Sequence, residues 1–162
     1  MRMWTSVGVA VMVVFVALSA KQDHCAPFQS KITVTAANGV QITGLFYRSA
    51  NGSRRVDWER PDGALTVIEN LRTRRFTMFD TTEWTDQPLT VDVAACAPLP
   101  VTEQKEITFV QQEAQGHPNT VALTNIQVGP QPDALFDAPA SARVRRLTVP
   151  HPFNPQSAYP GR

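Results

Sequence analysis

The chain has 162 residues, 43% of them apolar and 18% charged, with a formal net charge of +1. That composition supplies a buried core and excludes an intrinsically disordered chain. The balance of 15 basic against 14 acidic residues lacks the strong positive field that nucleic-acid binding needs, so no nucleic-acid partner is expected.

Residues 1–20 read as a secretory signal peptide. Arg2 supplies the positive start, and Val7 to Leu18 is an uncharged, Val-rich run. Ala17-Leu18-Ser19 places small residues where a signal peptidase inspects them, predicting cleavage near Ser19 or Ala20. The run is about 12 residues, short of the roughly 20 that cross a bilayer as a helix. Gln22-Asp23-His24 before Cys25 is too polar for a lipoprotein processing site. The expected location is periplasmic or secreted, with only transient membrane contact. Cys25 and Cys96 make an even count in an exported chain, which predicts one disulfide bond. Closing so long a loop is worth roughly 4 kcal/mol in the chain-entropy account. Two separate buried thiols are the alternative. A redox role is not expected, because no Cys-x-x-Cys pair is present.

Residues 26–149 are expected to form a single β domain. From Phe28 to Asp80, β-rich runs are separated by Ala37-Asn38-Gly39, Ala50-Asn51-Gly52, Pro61-Asp62-Gly63 and Asn70-Leu71-Arg72. Asn-Gly and Asp-Gly supply the positive φ that tight hairpins require, so the segment predicts an antiparallel meander. With three-residue loops, residue 36 faces 40, 49 faces 53, 60 faces 64 and 69 faces 73. Even-numbered residues then share one face throughout. That face carries Ile32, Val34, Val40, Ile42, Phe46, Val56, Trp58, Ile68, Phe76 and Met78. The odd face carries Thr33, Thr35, Gln41, Thr43, Arg55, Asp57, Glu59, Arg75 and Thr77, with Leu45, Tyr47, Val67 and Phe79 as apolar exceptions. Gly44 falls opposite Trp58, whose ring would cover the gap.

The pattern weakens from Thr81 to Thr102, where Leu89 to Val93 is strand-like and Pro98 and Pro100 break regular structure. A second hairpin follows, from Lys105 to Ala114 and from Asn119 to Val128. Val121 and Leu123 are odd whereas Ile126 and Val128 are even, which predicts a bulge near Thr124. Asp133 to Phe136 reads as one helical turn capped by Asp133. Arg143 to Val149 is the expected last strand. Residues 150–162 are rich in Pro and expected to be disordered.

Chemistry-bearing motifs are scarce. His24, His117 and His151 stand at no metal-ligand spacing, and no nucleophile elbow or phosphate loop is present. Asp80 and Glu83 read as solvated turn residues. No catalytic residue, metal or cofactor is expected, and the chain is read as a non-enzyme. Arg54, Arg55, Arg60, Arg72, Arg74 and Arg75 crowd the meander, with Arg143, Arg145 and Arg146 near the end. They read as a polar sheet face with Asp57, Glu59 and Glu69 as counterions, the sharper alternative being an anionic headgroup or an acidic partner.

The run Gly44-Leu45-Phe46-Tyr47-Arg48-Ser49-Ala50-Asn51-Gly52-Ser53-Arg54-Arg55-Val56 resembles the sheet of bacterial envelope proteins with the lipoprotein-carrier (LolA-like) half-barrel fold. Ile68-Glu69-Asn70 to Phe79-Asp80, and Asp133-Ala134-Leu135-Phe136-Asp137-Ala138-Pro139-Ala140, are similar to later parts of that pattern. The resemblance implies an open, strongly curved antiparallel sheet with an apolar concave side, in a family whose members carry or sense lipids and lipoproteins. The helices that usually plug such half-barrels are hard to find in this sequence. The combined reading is a mainly β half-barrel with little helix. Phe46, Trp58, Ile68, Phe76 and Met78 would line a site for a lipid or other apolar ligand. The alternative is a structural or protein-interaction module of the envelope that meets a protein partner.

Overall fold

Runs of β-branched and aromatic residues broken by tight turns leave this chain little choice but sheet. The computed structural model describes residues 25–90, 105–112 and 117–153. Its strands are β1 (Phe28–Thr35), β2 (Gln41–Arg48), β3 (Arg54–Glu59), β4 (Leu65–Asn70), β5 (Arg75–Asp80), β6 (Glu83–Thr90), β7 (Ile107–Gln112), β8 (Pro118–Val128), β9 (Val144–Arg146) and β10 (His151–Pro152). They form one sheet in the order β10-β6-β5-β4-β3-β2-β1-β8-β7, with β9 also paired to β6. Pairing is antiparallel except for β9 and β10, which run parallel along β6. The sheet is open rather than closed into a barrel, and the only helical element among the described residues is the 3-10 turn Asp133–Phe136. The expected mainly β architecture is thus the one the chain adopts. The signal segment falls outside the described residues.

The first two hairpins have the predicted register. Val34 pairs with Ile42 and Phe46 with Val56, and the loops close through Ala36 N–H to Val40 O and Ser49 N–H to Ser53 O, both 2.9 Å. Gly44 does stand opposite Trp58. A Cβ there would come 2.5 Å from the Asp57 carbonyl oxygen, so the two backbones can approach only because residue 44 is glycine.

The next two hairpins depart from expectation. Arg60 O accepts from Gly63 N–H, so Pro61 and Asp62 are the two central residues of a β-turn and Trp58 pairs with Leu65. Proline at the second position and glycine at the fourth favour this tighter turn over a three-residue loop. The face parity of β4 is therefore inverted. Val67 points to the core, and Ile68 sits on the opposite face, paired with Arg55 and Thr77. The connection Leu71–Arg74 then has four residues, with Arg74 at φ 54°, and inverts the parity again. Phe76 and Met78 so return to the face of Trp58.

The bulge expected near Thr124 is present. Lys31 pairs with Thr124 and Gln29 with Gln127, so Asn125 and Ile126 together oppose Ser30. Asn125 takes the left-handed backbone, φ 53°. Val40 and Ile42, expected on the buried face, are 58% and 39% exposed. β3 meets β2 only from Thr43 onward, so the β1–β2 ribbon extends past its neighbour there. Asp133 does not cap the 3-10 turn; Pro132 occupies that position and no side-chain cap bond is made. The sheet also runs beyond residue 149. His151 pairs with Leu89, Phe153 N–H donates to Thr90 O at 3.0 Å, and both His151 and Phe153 are buried. Residues 154–162 of the expected tail lie outside the described residues.

One face carries the main core: Phe28, Ile32, Phe46, Val56, Trp58, Val67, Phe76, Val121, Leu123 and Phe153, with Met78, Ile107 and Phe109 packed at its margin. The opposite, outer face is mostly polar but carries Leu45, Tyr47 and the Phe79–Trp84 ring pair, and the 3-10 turn lies on it over β3 and β4. Ile68 and Phe136 are buried on that side.

Candidate ligand face and its buried charges

The inner face brings together four of the five side chains expected to meet a ligand. Phe46, Trp58 and Phe76 belong to one buried cluster, with exposures of 0%, 6% and 6%, and partly buried Met78 packs against it. Ile68 does not join them, because the Pro61-Asp62 turn rotates it to the outer face. Cys25 is buried just before β1, its N–H bonded to Ala50 O at 3.0 Å. Its expected partner, Cys96, lies outside the described residues.

The sequence reading missed that this apolar face is crossed by a row of ionisable groups. Register places Phe28 opposite Arg48, Arg48 opposite Arg54, Arg54 opposite Glu69, and Glu69 opposite Phe76. Arg54 and Glu69 form an ion pair with side-chain exposures of 4% and 0%, and Arg54 Nε donates to Glu69 Oε2 at 2.7 Å. The Arg54 guanidinium carbon lies 4.5 Å from the Phe153 ring centroid. His151 stacks on Phe76, centroids 3.8 Å apart and planes at 9°, with Nδ1 3.9 Å from Glu69 Oε1.

Arg48 is the other cation of this row. It is 5% exposed, its Nε donates to Ala26 O at 3.1 Å, and its guanidinium lies 4.8 Å from the Phe28 ring centroid. Burial, with repulsion from Arg54 second, pushes its pKa down to about 10. Burial also pushes Arg54 down, opposed by the Glu69 carboxylate. Arg48 and Arg54 are even-numbered, like Phe46 and Val56, so residue parity alone could have placed them inward. Glu69 and His151 were hidden by the inverted parity of β4 and by the proline-rich context of the last strand.

The outer-face arginines mostly meet carboxylates. Arg55 Nε donates to both carboxylate oxygens of Asp57, at 2.9 and 3.0 Å, and Arg75 bonds Asp86 through Nε and Nη2 at 2.8 and 2.6 Å. That hydrogen-bonded pairing raises the Arg75 pKa. Arg72 reaches Asp137 at 3.1 Å and Arg145 reaches Glu83 at 3.1 Å. Asp80 and Glu83 face each other across the β5–β6 turn, and Asp80 lies 3.9 Å from Arg60, consistent with solvated turn residues. Shallow grooves of about 250 Å³ and 320 Å³ open on this face, one beside Arg75 and Arg146, the other beside the Asn125 bulge. Another of about 630 Å³ runs past Trp58, Leu45 and the Pro61 turn.

Among the described residues no three His, Cys, Asp or Glu side chains converge as a metal site would require. The inner face is thus a buried apolar cluster crossed by a row of fixed charges. No model of a known protein family matches the chain, and no curated protein matches it.

Proposed function

We propose that the protein is an exported, non-enzymatic module that holds a lipid or other apolar group against the inner face of its sheet. The observation that carries this reading is the convergence of Phe46, Trp58, Phe76 and Met78 on one face of a sheet that does not close into a barrel. A broad one-sided apolar surface must be covered by chain, partner or ligand. The likeness of the Gly44–Val56 run to the LolA-like half-barrel sheet points the same way, as does the N-terminal export signal. Export also favours a Cys25–Cys96 disulfide in the periplasm or outside the cell.

A second reading draws on a separate observation. Phe46 and Val56 are fully buried, which suits a packed envelope module that meets a protein partner by its outer face or strand edge. A fluorescent fatty-acid probe separates the two. On the first reading, delipidated protein takes up the probe and Trp58→Ala weakens uptake. On the second, neither the parent nor the variant binds any lipid across a broad panel.

A further inference from the structure

Among the described residues, Arg48 is held in the sheet without an acidic partner. The one carboxylate of its row, Glu69, is engaged by Arg54. Arg48 bonds through Nε to Ala26 O, and no acceptor within hydrogen-bond distance serves its two terminal nitrogens among the described residues. Stacking on Phe28, 4.8 Å from the ring centroid, recovers part of the lost hydration but supplies no acceptor.

A second polar group on the same face is also unmatched. Ser30 is 4% exposed, and its Oγ is buried with no hydrogen-bond partner among the described residues. Ser30 stands opposite Phe46 and Arg48 opposite Phe28, so Ser30 and Arg48 are diagonal neighbours across β1 and β2. Diagonal side chains on one face lie within about 7–8 Å, in reach of a long side chain. A guanidinium whose two terminal nitrogens stand free beside a hydroxyl donor fits one small anion. Arginine reads carboxylate and phosphate through paired N–H donors, and serine adds a third.

We propose that Arg48 and Ser30 form an anion-reading pair that seats the carboxylate or phosphate head of an amphiphile whose apolar part lies along Phe46 and Trp58. This rests on the reading of the inner face as a ligand surface and names the ligand class: an anionic amphiphile rather than a neutral one. Arg54 adds positive charge beside the head, and Glu69 keeps that second guanidinium from competing for it.

The test uses the delipidated mature protein with oleate, oleyl alcohol and inorganic phosphate as probes, followed by calorimetry. Oleate should bind about tenfold more tightly than oleyl alcohol, the preference expected of one charge-assisted contact. Arg48→Gln should remove that preference by lowering the oleate affinity to that of the alcohol, and Ser30→Ala should reduce it. Circular dichroism establishes that each variant is folded, and Ser30→Ala carries the test should Arg48→Gln fail to fold. Equal binding of oleate and oleyl alcohol, unaltered in both variants, overturns the inference and leaves the apolar-face reading intact. Binding of neither overturns that reading, and the inference with it. Arg48-dependent binding of phosphate with no uptake of oleate assigns the pair to a free anion and overturns the amphiphile.

Discussion

Glu69 meets Arg54 across β3 and β4 in a pair that is almost wholly withdrawn from water, with side-chain exposures of 0% and 4%. Breaking such a pair leaves an uncompensated buried charge. Glu69→Gln should lose about 3–5 kcal/mol of folding stability, whereas Arg54→Met combined with Glu69→Leu should recover most of it. Urea denaturation of the two variants checks this; equal losses in both would mean that the pair itself carries net stability.

Val67 and Ile68 are neighbours in sequence and buried on opposite faces. Ile68→Ala should open a cavity under the 3-10 turn and cost about 2–4 kcal/mol, while leaving probe uptake on the inner face unchanged. Thermal melts and probe titrations of the same sample separate the two effects. A large loss of uptake with an intact fold would place Ile68 in the binding surface after all.

These residues show how much of the architecture could be read without coordinates. The hairpins at Asn38-Gly39 and Asn51-Gly52 were legible because each glycine takes a positive φ, 81° and 86°, in the loop that the dipeptide favours. The bulge was legible because Val121 and Ile126 cannot share a parity on a regular strand. Pro61-Asp62-Gly63 misled because proline at its head selects a tighter turn than glycine at its end suggests. That slip of one residue moved Ile68 and Val67 to the wrong sides. The four-residue connection after Asn70 cancelled it, so Phe76 and Met78 were placed correctly through two compensating departures. The charged row was not foreseen because arginine is almost never buried, and composition does not single out Arg48 and Arg54 from the other arginines of the meander.

Arg48 carries a stability consequence of its own. Its folded pKa, pushed down to about 10 by burial and by repulsion from Arg54, lies well below that of an arginine in the unfolded chain. The unfolded chain therefore binds more protons between those values, so this group's contribution to stability rises as pH climbs through that window and is unfavourable at neutral pH. Without ligand, Arg48→Met should stabilise the protein by on the order of 1–2 kcal/mol, as replacing a poorly compensated buried charge by an apolar side chain does. A lowered urea midpoint in that variant would show Arg48 to be a structural support.

Thr81 holds φ 53° as the first residue of the two-residue turn between Asp80 and Glu83. A β-branched residue is strained there, and glycine is the residue that hairpin position favours. Thr81→Gly should raise stability by about 1 kcal/mol and shift the melting midpoint upward by a few degrees. No shift, or a fall, would mean that the turn's backbone relaxes in solution.

The inner face as a ligand surface is the claim on which the functional account turns, and native mass spectrometry of protein purified without detergent from its own cells addresses it most directly. The account predicts a cleaved leader, a mass lower by two hydrogens than that of the reduced chain, and an added mass that collisional activation releases as an anionic amphiphile. Only the bare chain, with no amphiphile retained or taken up on incubation, would contradict it.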